Sequence, residues 1–579
     1  MSALRSYTPG RPSLRRPISL LDVFVLVAVF VLLYLVLRVG SGTTASFNAH
    51  RLQSVSTNPA RLPYDAARSL LRMFIALFFS LVFTFTYGYA AARSRRAERV
   101  LVPMLDILQS VPVLGFLTIT VGLFIGVFPH SELGLECASI FAIFTSQAWN
   151  LTFSFYASLK ALPKELDELS RSLRLSKWQR FWRIEVPGSA IGLVWNGMMS
   201  FGGSWFFLVA SEAITVKGQQ YSLPGIGSYA GAAIKDGQLG RVGLAIGTMV
   251  VMVIGVNVLF WRPLVAWCER YRFETTEAAM TQRSVTLDLL MRSNWPRTLG
   301  RIRVRLAEPL GRAMQVMGFD GTPQPVSTGR QRAGDTIFAL VIGALLVFGA
   351  YETLHFIATS RGAGLGQIPK CVLLGLATFG RVVVLLVFAT LVWVPIGVWI
   401  GMNPKVSRIA QPVVQVLASF PANFLFPFAV LGFVHFGIGL NIGGILLMAL
   451  GAQWYILFNV IAGASAIPTD LRESMDVFGV RGWQRWKRLI IPGILTSYVT
   501  GGITAAGGAW NASIVAEVAS YHNHHLTAYG LGAYIVHASD HSNKAQLICG
   551  IVVMSMFVVG ANRFFWRRLY RLAENRYSL

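Results

Sequence analysis

The run LLDVFVLVAVFVLLYLVLRV, Leu20–Val39, is almost free of charge. As a helix it is long enough to cross a hydrocarbon layer of about 30 Å. TIFALVIGALLVFGAYETL, Thr336–Leu354, is a second such run, and others recur along the chain. A chain that repeats this pattern folds as a bundle of membrane-crossing helices, because lipid leaves backbone N–H and C=O groups no partner outside the segment. A β-barrel would show short alternating segments instead. The predicted spans lie at about 20–39, 69–92, 101–128, 136–158, 189–212 and 241–267, then at about 335–357, 371–401, 408–436, 439–464, 490–516 and 545–567. Only 13% of residues are charged, against roughly 25% in soluble domains.

The formal net charge is nevertheless +25. Its arginines are scattered between apolar spans, which argues against a nucleic-acid partner. With the N-terminus inside, the basic residues collect in inside loops, as the positive-inside rule requires. These are AARSRRAERV (91–100), MNPKVSR (402–408), two loops described below, an arginine-rich linker and the tail RFFWRRLYRLAENRYSL. Outer loops such as FPHSELGLE (128–136) are poor in them. Both termini are therefore expected on the inside, in the cytoplasm. The first run resembles a signal sequence but is too long for a typical h-region, so a retained span is expected. Cys137, Cys268, Cys371 and Cys549 show no metal-knuckle or disulfide spacing and read as small apolar fillers.

The chain repeats itself. LSKWQRFWRIEVPG (175–188) returns as VRGWQRWKRLIIPG (480–493), an offset of 305 residues. The same offset pairs Pro163 with Pro468, Trp205 with Trp510, Glu212 with Glu517, and Gly225 and Gly227 with Gly530 and Gly532. LQSVP (108–112) matches LASFP (417–421) at a slightly different offset. The unit is therefore a six-span half. An even span count keeps both halves in one orientation, so they are parallel repeats about an axis along the membrane normal. The expected organisation is a basic N-terminus at 1–19, one half at 20–267, a cytoplasmic linker at 268–334 and a second half at 335–579.

Each repeated loop resembles the cytoplasmic EAA loop of binding-protein-dependent ABC importer permeases. Pro187 lies 19 residues after Glu168, and Pro492 lies 19 after Glu473, as in that pattern. Gly479 keeps the pattern's glycine; Arg174 replaces it in the first copy. SWFFLVASEAI, LPGIGSYAGAAI and LFWRPL are similar to the nitrate/sulfonate/taurine/bicarbonate branch. The resemblance implies an all-α permease of about 12 spans, built as two six-helix type I importer repeats. It implies that Glu168, Arg174, Trp178, Arg180 and Pro187, with Glu473, Gly479, Trp483, Arg485 and Pro492, couple to ATPase subunits. The implied partners are two copies of a cytoplasmic ABC ATPase, which binds ATP and Mg, and a periplasmic or lipid-anchored substrate-binding protein, besides membrane lipids. No G-x-x-x-x-G-K-[ST] loop occurs in this chain, so ATP hydrolysis is expected elsewhere and no cofactor is expected here. The substrate is expected to be a small solute, with an anion such as nitrate, a sulfonate or bicarbonate following only from the resemblance.

Charges read as scarce in the spans, and polar residues there are candidates to line a path. They are Ser110, Gln147, Asn150, Asn196, Glu212, Ser419, Gln453, Asn459, Asn511 and Glu517, with Trp205 and Trp510 nearby. Pro112 and Pro421 each remove a backbone donor, so spans three and nine are predicted to break or kink there. Packing between helices is the competing explanation for any single polar residue. His522, His524 and His525 fall in an outer loop without Cys or a paired carboxylate, a weak metal candidate beside a docking or capping loop. A secondary transporter driven by an ion gradient is the alternative function. It would want mid-span acids or His as relays. A membrane enzyme would need reactive groups converging at one depth, and none is evident.

Overall fold

The computed structural model describes residues 55–173, 175–216, 219–268, 328–359, 366–521, 524–541 and 543–577, with short pieces at 38, 40 and 286–288. The expected span at 20–39, Arg174, His522 and most of the linker lie outside the described residues. Two compact units divide the chain. One holds Val39–Leu162, Gly192–Asn257 and Pro325–Leu579; the other holds Pro163–Ile191 and Val258–Gln324, with Met1–Arg38.

The described fold is helical, with two short hairpins. The first half runs α1 (Leu62–Phe83), α2 (Arg95–Ser110), α3 (Val113–Val127), α4 (Leu133–Lys160), α5 (Lys164–Ser172), α6 (Val186–Glu212), β1 (Ala213–Val216), β2 (Gln219–Ser222), α7 (Ile226–Lys235) and α8 (Leu239–Val256). The second runs α9 (Thr328–Thr359), α10 (Gln367–Met402), α11 (Pro404–Ser419), α12 (Phe426–Phe436), α13 (Leu440–Ala466), α14 (Thr469–Val477), α15 (Ile491–Ala516), β3 (Val518–Tyr521), β4 (His524–Thr527), α16 (Leu531–Asp540), α17 (Lys544–Ala561) and α18 (Arg567–Tyr577). From α10 to α17 the second half repeats the order of α1 to α8 in the first, and α18 corresponds to the short helical stretch Arg262–Cys268 that follows α8. Among the described residues seven helices are long and apolar enough to cross a membrane, and the bent pair α11–α12 makes an eighth candidate. The protein is an all-α polytopic membrane protein.

Local sequence sets the helix ends. Ser94 starts α2 by accepting the Ala97 N–H, and Asn403 starts α11 by accepting from Lys405 and Val406, with Pro404 in the first turn where its missing donor costs nothing. The predicted breaks are present. Helix α2 stops at Ser110, Val111 is extended, and Pro112 leads into α3. At the equivalent place Phe420 is extended, Pro421 follows, a 3₁₀ turn covers Ala422–Leu425, and α12 leaves α11 at 79°. The break frees backbone donors. Val113 donates its N–H to Asn511 Oδ1, 2.8 Å away on α15 of the other half.

The hairpins were not predicted. Each pairs four residues antiparallel, Ala213 opposite Ser222 and Val518 opposite Thr527, and links α6 to α7 and α15 to α16. Two π-helical turns also repeat at equivalent places, Phe181–Glu185 with Trp486–Ile490 and Asn257–Trp261 with Asn562–Trp566. The core of the second half gathers α10, α12, α13, α15 and α17 around Leu385, Val430, Leu447, Met448, Trp510 and Met554, all at most 1% exposed. Cys371 and Cys549 are buried free thiols with sulfurs 3.6 Å apart, bridging α10 and α17.

Candidate functional site

The two repeated loops share a plan and differ in detail. In the first copy Ser176 and Gln179 cap each other reciprocally ahead of the turn Lys177–Arg180. Trp178 packs on Phe181 and edge-on to Trp182. Arg180 reaches forward to Glu185, 2.8 Å away. In the second copy Gly479 and Gly482 have φ of 64° and 57°, left-handed backbone that side chains with a Cβ disfavour. Arg485, the equivalent of Arg180, reaches back to Asp476 at 2.7 Å. Its former acceptor position is Ile490, and Asp476 stands where the first copy has Arg171. Glu168 and Glu473 are exposed at the helix surfaces, while Pro187 and Pro492 begin the long helices that re-enter the apolar region.

Both loops show large apolar side chains to water. Val477 is 84%, Phe478 79% and Trp483 71% exposed in the second copy; Leu169 and Leu173 are about half exposed or more in the first. Basic loops that keep such groups uncovered have the character of a contact surface.

Residues of both halves enclose a cavity of about 220 Å³. Its walls come from the end of α2, α4, α6, α13, α15 and α17. The predicted Asn150, Asn196, Asn459, Trp510 and Asn511 line it. Trp149, Tyr455, Trp566, Thr500 and Thr504 are lining residues that sequence reading did not single out. None of the described lining residues is charged. A smaller pocket of about 20 Å³ adjoins Tyr455 and holds Ser419, whose Oγ would lie 2.6 Å from a Cβ placed on Gly202. Gly202 therefore allows α6 of one half to meet α11 of the other.

The remaining path candidates sit elsewhere. Gln147 is fully buried and accepts from Ser80 at 3.4 Å. Gln453 accepts from the Trp393 indole at 3.0 Å. Trp205 packs edge-on to Phe201. Pro112 and Pro421 occupy the helix breaks, and Ser110 ends α2, its side chain being outside the described set. His525 lies exposed on β4 with His524 beside it, and no three His, Cys, Asp or Glu side chains converge as a metal site among the described residues.

Glu212 and Glu517 are sealed in ion pairs. Glu212 takes Arg72 at 2.6 Å, Ser69 at 2.5 Å and the Gly227 N–H at 2.7 Å. Glu517 takes Arg381 at 2.5 Å, Thr378 at 2.7 Å and the Ala533 N–H at 3.1 Å. The arginines also donate to the Pro224 and Tyr529 carbonyls, so the chain entering each short helix is tied to α1 or α10. In the first half Glu136 adds two bonds to Arg72 and one to Arg68. The second half has Ala377 and Asn441 in the places of Arg68 and Glu136, and Arg381 donates to Asn441 instead. One arginine and one acid are lost together, so the paired charges balance in both. The reading of the spans as nearly free of charge is corrected here: Arg68, Arg72, Glu136, Glu212, Arg381 and Glu517 are all buried. The available signal was a lone arginine inside an apolar run, as in SLLRMFIAL and TFGRVVVLL.

Two like halves, apolar spans and an uncharged cavity between them define a membrane protein of the two-repeat permease type. The chain belongs to the family described as binding-protein-dependent transport system inner membrane component, which matches residues 68–266 and again 393–578. It is 27% identical over 197 residues to a putative ABC transporter permease protein of Methanocaldococcus jannaschii, covering 34% of this chain and 68% of that one. It is 25% identical over 181 residues to the taurine transport system permease protein of Escherichia coli, covering 31% and 62%. It is 25% identical over 184 residues to the nitrate import permease protein of Leptolyngbya laminosa, covering 32% and 61%. The chain thus spans about two thirds of the length of these relatives.

Proposed function

We propose that this chain is the whole membrane domain of an ATP-driven importer, with both permease halves fused in one polypeptide. The observation that carries it is the doubled loop: two basic, apolar-tipped segments at equivalent places in two halves of one permease family. Each loop is a handle for one ATPase subunit. Glu168, Trp178, Arg180 and Pro187 belong to one, and Glu473, Gly479, Trp483, Arg485 and Pro492 to the other; Arg174 stands where the first lacks the glycine. ATP and Mg bind to the partner, and a binding protein delivers the solute from outside. The halves run over 20–267 and 335–579, joined by a cytoplasmic linker at 268–334, with both termini in the cytoplasm and the chain in the inner membrane. The path passes Asn150, Asn459 and Trp510 and the breaks at Pro112 and Pro421, and the solute is small and polar.

Purified full chain is expected to hydrolyse no ATP and to co-purify with an ATPase. Trp483→Ala with Phe478→Asp should abolish that association. ATP hydrolysis by the chain alone would overturn the proposal. The gradient-driven alternative needs a titratable acid free to load and release protons. Glu136, Glu212 and Glu517 are tied to guanidinium groups, which stay charged. Asp65 is buried with Oδ2 unpartnered, so ATP-dependent uptake that survives Asp65→Asn separates the two mechanisms.

A further inference from the structure

The two halves fasten one corner of the bundle differently. In the first half Tyr229 of α7 donates its hydroxyl to the Thr57 carbonyl at 2.9 Å, and Arg241 of α8 donates to the Thr57 hydroxyl. The segment leading into α1 is thereby strapped to α7 and α8. The second half keeps the tyrosine, and Tyr534 of α16 donates to Gln367 Oε1 at 3.3 Å. Gln546 stands in the place of Arg241.

Two thiols meet at this second corner. Cys371 of α10 is 0% and Cys549 of α17 1% exposed, and their sulfurs are 3.6 Å apart. Leu62 and Leu244 hold the equivalent places in the first half. The helices beside the thiols pack closely. A Cβ on Gly375, one turn after Cys371, would collide with the Phe557 ring of α17, and one on Gly550 would lie 2.8 Å from Ile535 of α16. Spacing in the sequence gave no sign of the pair, because 178 residues separate its members.

The pair lies at the end of α10 away from the second repeated loop. The Met402 carbonyl at the other end accepts from Arg472 of α14, the helix that leads into that loop. Cys371 is 31 residues earlier on the same helix (402 − 371), a rise of about 46 Å, which exceeds the thickness of a hydrocarbon core. With the loops in the cytoplasm, the thiols are at the outer face, where disulfides form and persist.

We propose that Cys371 and Cys549 are oxidised to a disulfide as the second half assembles, and that this bond fastens α10 to α17 where the first half uses the Thr57 strap. The inference rests on the permease reading for the side of the membrane on which the pair lies. The oxidant is the disulfide of an extracytoplasmic dithiol oxidase. Helix α10 precedes α17 in the chain, so Cys371 reacts first. Its thiol gives its proton to water, its sulfur attacks the oxidase disulfide, and one oxidase sulfur leaves as a thiolate. Cys549 then loses its proton, attacks the mixed disulfide and displaces the second oxidase sulfur. Two thiols have given up two protons and two electrons, and the oxidase has become a dithiol. Both sulfurs are sealed in the packed protein, so the exchange precedes the docking of α17. The bond closes a loop of 178 residues, which restricts the unfolded chain.

The test uses full-length chain from two hosts, one with an oxidising outer compartment and one lacking its thiol oxidase. Free thiols are trapped with N-ethylmaleimide in denaturant, and intact mass counts the adducts. The chain has four cysteines. Two adducts are expected from the first host and four from the second, with a Cys371–Cys549 linked peptide on mapping. In lipid nanodiscs the first preparation should melt about 5 °C or more above the second. Cys371→Ala and Cys549→Ala should each remove the difference between hosts. Four adducts from the first host, or a bond between other cysteines, would overturn the proposal. So would equal midpoints for the two wild-type preparations, which need no variant to fold. ATPase co-purification is scored on the same material: if it persists while all four thiols are free, the disulfide falls and the permease reading stands.

Discussion

Arg72 and Arg381 show how much one buried side chain can organise. Each guanidinium joins α1 or α10 to the far end of α6 or α15 and to the chain entering α7 or α16. The glycines of LPGIG and YGLG follow from this. A Cβ on Gly225 or Gly530 would collide with the carboxylate of Glu212 or Glu517. Removing one partner from a buried pair leaves the other charged and unsolvated, at a cost of about 3–5 kcal/mol. Glu517→Leu should therefore destabilise the protein by about that amount, read as a lowered melting midpoint in detergent. Arg68→Ala should cost about 3 kcal/mol for the same reason. Adding Glu136→Asn should recover most of the loss, because the double variant carries the Ala and Asn of the second half. A double variant no better than Arg68→Ala would show that the halves do not compensate this way.

At the scale of elements, the broken helices and the loops carry the predictions. The break at Pro112 frees the Val113 N–H, and Asn511 supplies its acceptor. Asn511→Leu should cost about 1–3 kcal/mol, the penalty of a buried donor without a partner; chemical denaturation of the purified variant measures it. The second-copy loop turns on two left-handed glycines, and a Cβ there costs roughly 1–2 kcal/mol of strain per residue. Gly479→Ala should loosen the α14 turn and weaken ATPase association by about tenfold or more, measured by titrating the ATPase onto nanodisc-held protein. The first copy turns through the Ser176–Gln179 cap instead, so the two loops turn by different local chemistry. The hairpins escaped sequence reading for a physical reason. Four-residue strands beside long apolar helices lack a period long enough to recognise. The acid beside each, Glu212 or Glu517, suggested a path when its partners were out of sight.

For the whole molecule, the cavity depends on both halves, since α4 and α6 face α13, α15 and α17 across it. If a protease site is placed in the 268–334 linker and cut after purification, the fragments should stay together on size-exclusion chromatography. Asn511→Leu should lower the denaturant concentration at which they part. The membrane class, eight of the twelve expected spans, the repeat and the helix breaks were legible in the chain. Each depends on local composition or on the local backbone chemistry of proline, and a repeat needs only comparison of the chain with itself. Asn150, Asn459 and Trp510 were legible as polar or bulky residues in apolar runs. Their shared cavity was not, because helices hundreds of residues apart meet there. The pairing of Arg72 with Glu212, 140 residues away, and of Arg381 with Glu517, 136 away, was equally hidden. Sequence alone determined that polar groups enter the apolar spans; tertiary structure alone decided which charges neutralise one another and which polar groups face open space, because that choice depends on distances between helices that no local pattern encodes.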